Sequence, residues 1–172
     1  MTGQVTIKIK AALAMTAAFL FLAAPAQAAD VYSARVVSVA DGDTLTVVRE
    51  NLDMVTIRLY GIDAPEDGQD FGKKAARHLR RLVNKKLVLV EPVGKSDRYK
   101  RTVAIVRLDD QDVAREMIRA GYAWVYADYC KRKRPCGGHW AEVRRAIDGK
   151  LGMWNGKAVP PWKWRKKSGK NL

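Results

Sequence analysis

Asp43, Asp63 and Glu66 supply three carboxylates and Arg58 a guanidinium within two short segments, Asp41-Gly42-Asp43-Thr44 and Ile57-Arg58-Leu59-Tyr60-Gly61-Ile62-Asp63-Ala64-Pro65-Glu66. That inventory suits metal-assisted attack on a phosphodiester. Two carboxylates can hold a hard cation, a third can take a proton from water, and the arginine can neutralise charge developing on phosphorus. Each fragment alone has a plainer reading. Asp41-Gly42 is a turn signal, and Asp63-Ala64-Pro65-Glu66 could be a loop entering a helix, with Glu66 a surface acid. Their combination with Arg58 and Arg101 favours a site.

Strand-like segments must position these residues. Tyr32 to Val39, Thr44 to Arg49 and Met54 to Tyr60 are short, rich in valine, isoleucine, threonine and tyrosine, and separated by turn residues. In the third, Val55, Ile57 and Leu59 alternate with Thr56, Arg58 and Tyr60, so Arg58 projects from the face opposite the core. Lys73 to Lys86 changes to helical period through Ala75, Ala76, Leu79, Leu82 and Val83. Leu87 to Val93 and Thr102 to Leu108 return to strand composition. Asp109 or Asp110 can cap a second helix carrying Val113, Met117 and Ile118 and ending near Gly121. A third helix is expected from about Gly138 to Lys150, with Trp140, Val143 and Ile147 on one face. The predicted class is α+β: a five-stranded OB-type β-barrel with about three flanking helices.

The length of 172 residues suits one ordinary domain. Residues 1 to 28 read as a signal peptide: Lys8 and Lys10 precede the apolar run Ala11 to Ala24, and Ala26-Gln27-Ala28 suits cleavage. That run is shorter than the ~20 residues a spanning helix needs, so the expectation is an exported protein, periplasmic or secreted, with no stable membrane span. The expected domain then covers residues 29–155, followed by a basic tail over 156–172. The whole chain carries a net charge of +14, and removal of two lysines with the leader leaves +12. Such a charge favours polyanions, with a solvated surface as the plain alternative. An exported chain with only Cys130 and Cys136 favours a disulfide between them. Adding His139 gives a C-x5-C-x2-H spacing that is not a usual zinc pattern. His78 and His139 read as surface or capping residues, and Trp124, Trp140 and Trp154 as core or rim aromatics. The tail Pro160-Pro161-Trp162-Lys163-Trp164-Arg165-Lys166-Lys167 suits either an anionic partner or a segment folded over the barrel.

An ordered set of motifs runs along the chain. It comprises Asp41-Gly42-Asp43-Thr44, then Arg58 with Asp63-Ala64-Pro65-Glu66, then Asp97-Arg98-Tyr99-Lys100-Arg101, then Gly121-Tyr122-Ala123, and finally Leu151-Gly152-Met153-Trp154. By these motifs the chain resembles the staphylococcal (micrococcal) nuclease family over roughly Val31 to Trp154. The resemblance implies a calcium-dependent phosphodiesterase acting on DNA and RNA, cutting the bond to the 5′ oxygen and leaving 3′-phosphate ends. It matches Asp43 and Asp63 to the calcium carboxylates, with the Ala64 carbonyl as a further ligand. Arg58, Glu66 and Arg101 match the catalytic trio, and Arg98 and Tyr99 the nucleotide pocket. Tyr126 and Tyr129 are both candidates for the family's later pocket tyrosines. Two positions depart from the best-known member: Ala64 stands in place of a threonine and Lys100 in place of a glycine.

The leading expectation is therefore a monomeric Ca2+-dependent endonuclease of low sequence specificity. The competing one is a non-catalytic OB-fold nucleic-acid-binding module of the exported envelope, which would have no need of Arg58, Glu66 and Arg101 together. A third class is a surface-binding protein whose basic tail grips anionic polymers.

Overall fold

The computed structural model describes residues 30–130 and 133–169. The expected leader lies outside the described residues. The first three strands are β1 (Tyr32–Val39), β2 (Thr44–Val48) and β3 (Met54–Leu59), an antiparallel meander. Their apolar residues turn inward on the two-residue period: Ala34, Val36, Leu45, Val47, Ile57 and Leu59 are all buried. A register shift between Val36 and Ser38 bends β1 so that it can serve two neighbours.

A short β4 (Ile62–Asp63) and the helix α1 (Gly72–Val83) follow, then β5 (Leu87–Pro92) and β6 (Thr102–Leu108). β5 pairs antiparallel with β1 and β6, and β6 pairs parallel with β3. That last pairing closes a five-stranded barrel in the order β1-β2-β3-β6-β5, the OB-type α+β fold expected. α1 lays Ala75, Leu79 and Val83 on the barrel core. It stops three residues before the predicted Lys86, because the Lys85 N–H donates to the Val36 carbonyl and Val36 N–H to the Lys86 carbonyl. The chain is captured by β1 before another helical turn can form.

A two-residue β7 (Gln111–Asp112) leads into α2 (Val113–Arg119). Neither Asp109 nor Asp110 caps it. Both lie in a turn at positive φ, and Asp112 is the cap, its Oδ1 accepting from Ala114 N–H at 2.9 Å and Arg115 N–H at 3.4 Å. After β8 (Trp124–Val125), α3 runs over Lys133–Asp148, starting earlier than predicted. Its buried face also differs from the prediction. Trp140 and Ile147 are exposed and Val143 is partly buried, whereas His139, Glu142 and Ala146 are wholly buried. The apolar period failed here because the buried positions include two polar side chains with distant partners. Glu142 receives Arg115 and Arg119 from α2, and His139 Nε2 sits 3.3 Å from Asp112 Oδ2. His139 is thus an interior residue and not a surface one. His78 is half-buried against Tyr122, with ring centroids 4.9 Å apart.

Cys130 and Cys136 form the expected disulfide, with S–S 2.01 Å. The two sulfurs are bonded to each other, and His139 Nδ1 lies 3.6 Å from Cys130 Sγ. A 3-10 turn over Gly152–Asn155 buries Met153, and the tail that lacked a readable period forms α4 (Pro161–Lys167), with proline at the start of its first turn. Among the described residues no helix is long and apolar enough to cross a membrane.

Candidate active site

The site lies where β2 begins and β3 ends. Thr44 pairs with Arg58 across the two strands, and the Leu59 N–H donates to the Asp43 carbonyl at 2.8 Å, so Asp43 is fixed beside Arg58 by the ladder itself. Gly42 permits this approach: a Cβ there would meet Ala64 Cβ at 2.6 Å and Ala75 Cβ at 2.7 Å. Gly61, at φ +76°, turns the chain out of β3. β4 then pairs with β8, Asp63 opposite Trp124, which locks the second aspartate in place. Glu66 stands in the turn before α1, where its N–H donates to Gln69 Oε1 and its carbonyl accepts from Gln69 N–H at 2.8 Å. A Cβ at Gly72 would fall 1.8 Å from that carbonyl, so the turn needs glycine at the head of the helix.

Arg58 binds the two aspartates together. Its Nη2 lies 3.2 Å from Asp43 Oδ2 and 3.0 Å from Asp63 Oδ1, while Nη1 donates to the Ile62 and Leu59 carbonyls at 2.9 and 3.2 Å. Asp43 Oδ2 also accepts from the Ala64 N–H at 2.7 Å. Arg101 enters one residue before β6. It donates to Asp97 through Nε at 2.8 Å and to Thr44 Oγ1 through Nη1 at 3.2 Å, and that hydroxyl donates to Asp43 Oδ1. Arg98 and Arg101 each lie about 5 Å over the Tyr99 ring, at 5.0 and 5.1 Å from its centroid. A pocket of about 660 Å³ is lined by Asp43, Arg58, Asp63, Ala64, Glu66, Arg98, Tyr99 and Arg101, so every candidate residue reaches one cleft. Tyr126 and Tyr129 line it as well.

A model of the family "Staphylococcal nuclease homologue" matches residues 56–156. The chain belongs to that family. It is 35% identical over 140 residues to an "Uncharacterized endonuclease" of Haemophilus influenzae, covering 80% of this chain and 75% of the relative. It is 39% identical over 144 residues to an "Uncharacterized endonuclease" of Escherichia coli O157:H7, covering 82% and 89%. It is 34% identical over 169 residues to a "Micrococcal nuclease" of Shigella flexneri, covering 92% and 94%. The protein is a nuclease, a hydrolase of phosphodiester bonds in nucleic acid.

Three features of this nuclease site escaped the sequence reading. Asp41, taken only as part of a turn, faces the same pocket, and its Oδ1 accepts from the Asp43 N–H at 2.9 Å. Burial, and then the Asp43 charge beside it, push the Asp41 carboxyl up to about 7. Burial likewise raises Asp63, against the pull of Arg165 and Arg58. Asp97 moves the other way: burial alone would raise it, but the hydrogen bonds and charge of Arg101 hold it below the usual range. Asp43 is crowded by Asp41 on one side and Asp63 on the other, and these carboxylates offer only oxygen, which suits a hard divalent cation and matches neither zinc nor iron preferences. That crowding is what a bound cation would relieve.

The second feature is Arg165 of α4, which enters the cleft from far along the chain. Its Nη1 donates to Glu66 Oε1 at 2.6 Å and its Nη2 to Asp63 Oδ2 at 2.9 Å. The third is Trp162, stacked on Tyr126 with centroids 5.5 Å apart and planes 6° from parallel. Their only signal in the sequence was the mixture of aromatics and cations after Pro160.

Proposed function

We propose that the protein is an exported, calcium-dependent endonuclease that cuts DNA and RNA with low sequence specificity, breaking the bond to the 5′ oxygen and leaving 3′-phosphates. The observation that supports it most is the convergence of Asp43, Asp63, Glu66, Arg58 and Arg101 on one cleft. Asp43 and Asp63, with the Ala64 carbonyl, would hold Ca2+, which when bound polarises the phosphoryl oxygen and holds the attacking water. Glu66 would serve as general base, taking a proton from the attacking water.

Arg58 and Arg101 neutralise the charge that develops on the phosphoryl oxygens. A planar fork that stays charged suits two oxygens of a crowded phosphorus better than an ammonium does. Arg98 and Tyr99 grip the adjoining nucleotide, the tyrosine by stacking and the arginine by charge. In this reading residues 1–28 are the leader, 29–155 the nuclease domain and 156–172 a basic tail, and the enzyme works as a monomer in the periplasm or outside the cell. The test is cleavage of DNA and RNA by the purified protein in calcium and in chelator, with the product ends identified. Cleavage that leaves 5′-phosphates, or that persists in chelator, would overturn it.

A further inference from the structure

α4 is fastened across the cleft at four points. Gln69 Nε2 donates to the Val159 carbonyl just before the helix, and the Trp164 ring approaches Gly68. Trp162 covers Tyr126, a pocket aromatic, in the parallel geometry that a nucleobase would adopt there. Arg165 spans Asp63 and Glu66, contacting both oxygens of Asp63, with Nη1 at 3.2 Å from Oδ1 and Nη2 at 2.9 Å from Oδ2.

We propose that Arg165 is an internal competitor of the divalent cation: α4 is a strap whose guanidinium occupies the carboxylates that the metal must use, and it sets the ion concentration at which the site loads. The inference rests on the metal-dependent reading above. Asp63 is almost wholly buried, and both of its oxygens already accept from guanidinium groups, Oδ1 from Arg58 and Arg165 and Oδ2 from Arg165. A dication joining them would stand within a few ångströms of the Arg165 charge, in a partly dehydrated cleft where like charges repel strongly. One of the two cations has to leave Asp63. Arg58 is anchored by two backbone carbonyls as well as by carboxylates, whereas among the described residues the hydrogen bonds of Arg165 that reach the cleft end on Asp63 and Glu66. Arg165 is therefore the one displaced. Its departure frees Glu66 to face the attacking water, and the strap that carries it also uncovers Tyr126.

The test is calorimetric titration of calcium into the purified protein and into its Arg165→Ala and Arg165→Lys variants. A charged hydrogen-bonded competitor should weaken metal binding on the order of tenfold, so Arg165→Ala binds calcium about that much more tightly and Arg165→Lys falls between. Trp162→Ala, which loosens the strap without touching the carboxylates, shifts the affinity in the same direction and covers the case in which Arg165→Ala does not fold. Calcium should also reduce protection of the α4 amides from hydrogen exchange, by reciprocity of the coupling. Equal calcium affinity in the parent and all variants overturns the strap and leaves the metal site standing. No calcium binding in any of them overturns the metal-dependent reading itself. Unchanged calcium affinity with weaker binding of a short single-stranded oligonucleotide would make Arg165 a phosphate-gripping residue and would also overturn the strap.

Discussion

Arg58 Nη2 lies 3.2 Å from Asp43 and 3.0 Å from Asp63, so one guanidinium bridges the carboxylate just before β2 and the one that ends β4. The same group donates to two backbone carbonyls from its other terminal nitrogen. Lysine, a compact charge on a single nitrogen, cannot reproduce that fork. Arg58→Lys is expected to keep the fold and to lose about 10²- to 10³-fold in kcat. Steady-state kinetics beside a thermal melt check both halves of this expectation.

The raised carboxyl of Asp41 would make the proposed metal binding depend on pH. Its folded value of about 7 stands above the ordinary 3.8, so the folded protein holds this proton more tightly than the unfolded chain does. Asp41 therefore contributes stability that is fully present below pH 3.8 and is lost as the pH rises through about 7. A cation seated on the cluster favours the ionised form. Calcium affinity should fall as pH drops through about 7, and calcium binding near pH 6 should release a proton. Calorimetry in buffers of different ionisation enthalpy measures that proton, and release that does not change between pH 6 and 8 would contradict the expectation.

Glu142 is wholly buried between α2 and α3. Burial alone would raise its carboxyl, but the hydrogen bonds from Arg115 and Arg119 outweigh that and lower it below 4.5. A depressed carboxylate contributes stability that is complete above the unfolded value and is lost as pH falls through the folded one. The protein should lose stability below about pH 4.5, and Glu142→Gln should flatten that loss while costing about 1 to 3 kcal/mol at neutral pH. Urea titrations at a series of pH values give both numbers.

How much of this was legible in the sequence depended on the kind of signal each element carries. Of the barrel strands β3 alternates apolar and polar residues on a two-residue period, and the others were legible from valine, isoleucine, threonine and tyrosine content between turn residues, so that the bounds fell within a residue of those observed. The five catalytic and metal candidates were recognisable from ordered motifs, and the fold brings them to one cleft. His139 was not legible as an interior residue: its burial depends on Asp112, 27 positions earlier, a partner that no local pattern reveals. Arg165 was hidden for a similar reason. Its helix carries no apolar face of ordinary period, and its partners, Asp63 and Glu66, lie about a hundred residues earlier.

Lys100 shows where a sequence departure becomes a physical cost. It has φ +62°, a conformation that costs a residue with a Cβ roughly 1 to 2 kcal/mol, and it stands where the best-known family member has glycine. The turn is held regardless, by Lys100 N–H to the Asp97 carbonyl and by Asp97 Oδ1 accepting from Tyr99 and Arg101. Lys100→Gly is expected to stabilise the fold by up to about 1 kcal/mol, the relief of strain being partly offset by the freer unfolded chain. A denaturant midpoint that moves downward would contradict this.

In the proposed mechanism Glu66 acts with a calcium ion that Asp43 and Asp63 would hold. The most direct measurement is cleavage of single- and double-stranded DNA by the parent protein and by Glu66→Gln, each in calcium and in chelator, with oligonucleotide binding followed in parallel. The predicted result is calcium-dependent cleavage leaving 3′-phosphates in the parent, a loss of about 10²- to 10⁴-fold in the variant, and binding retained in both. Undiminished cleavage in chelator, or by Glu66→Gln in calcium, would contradict it.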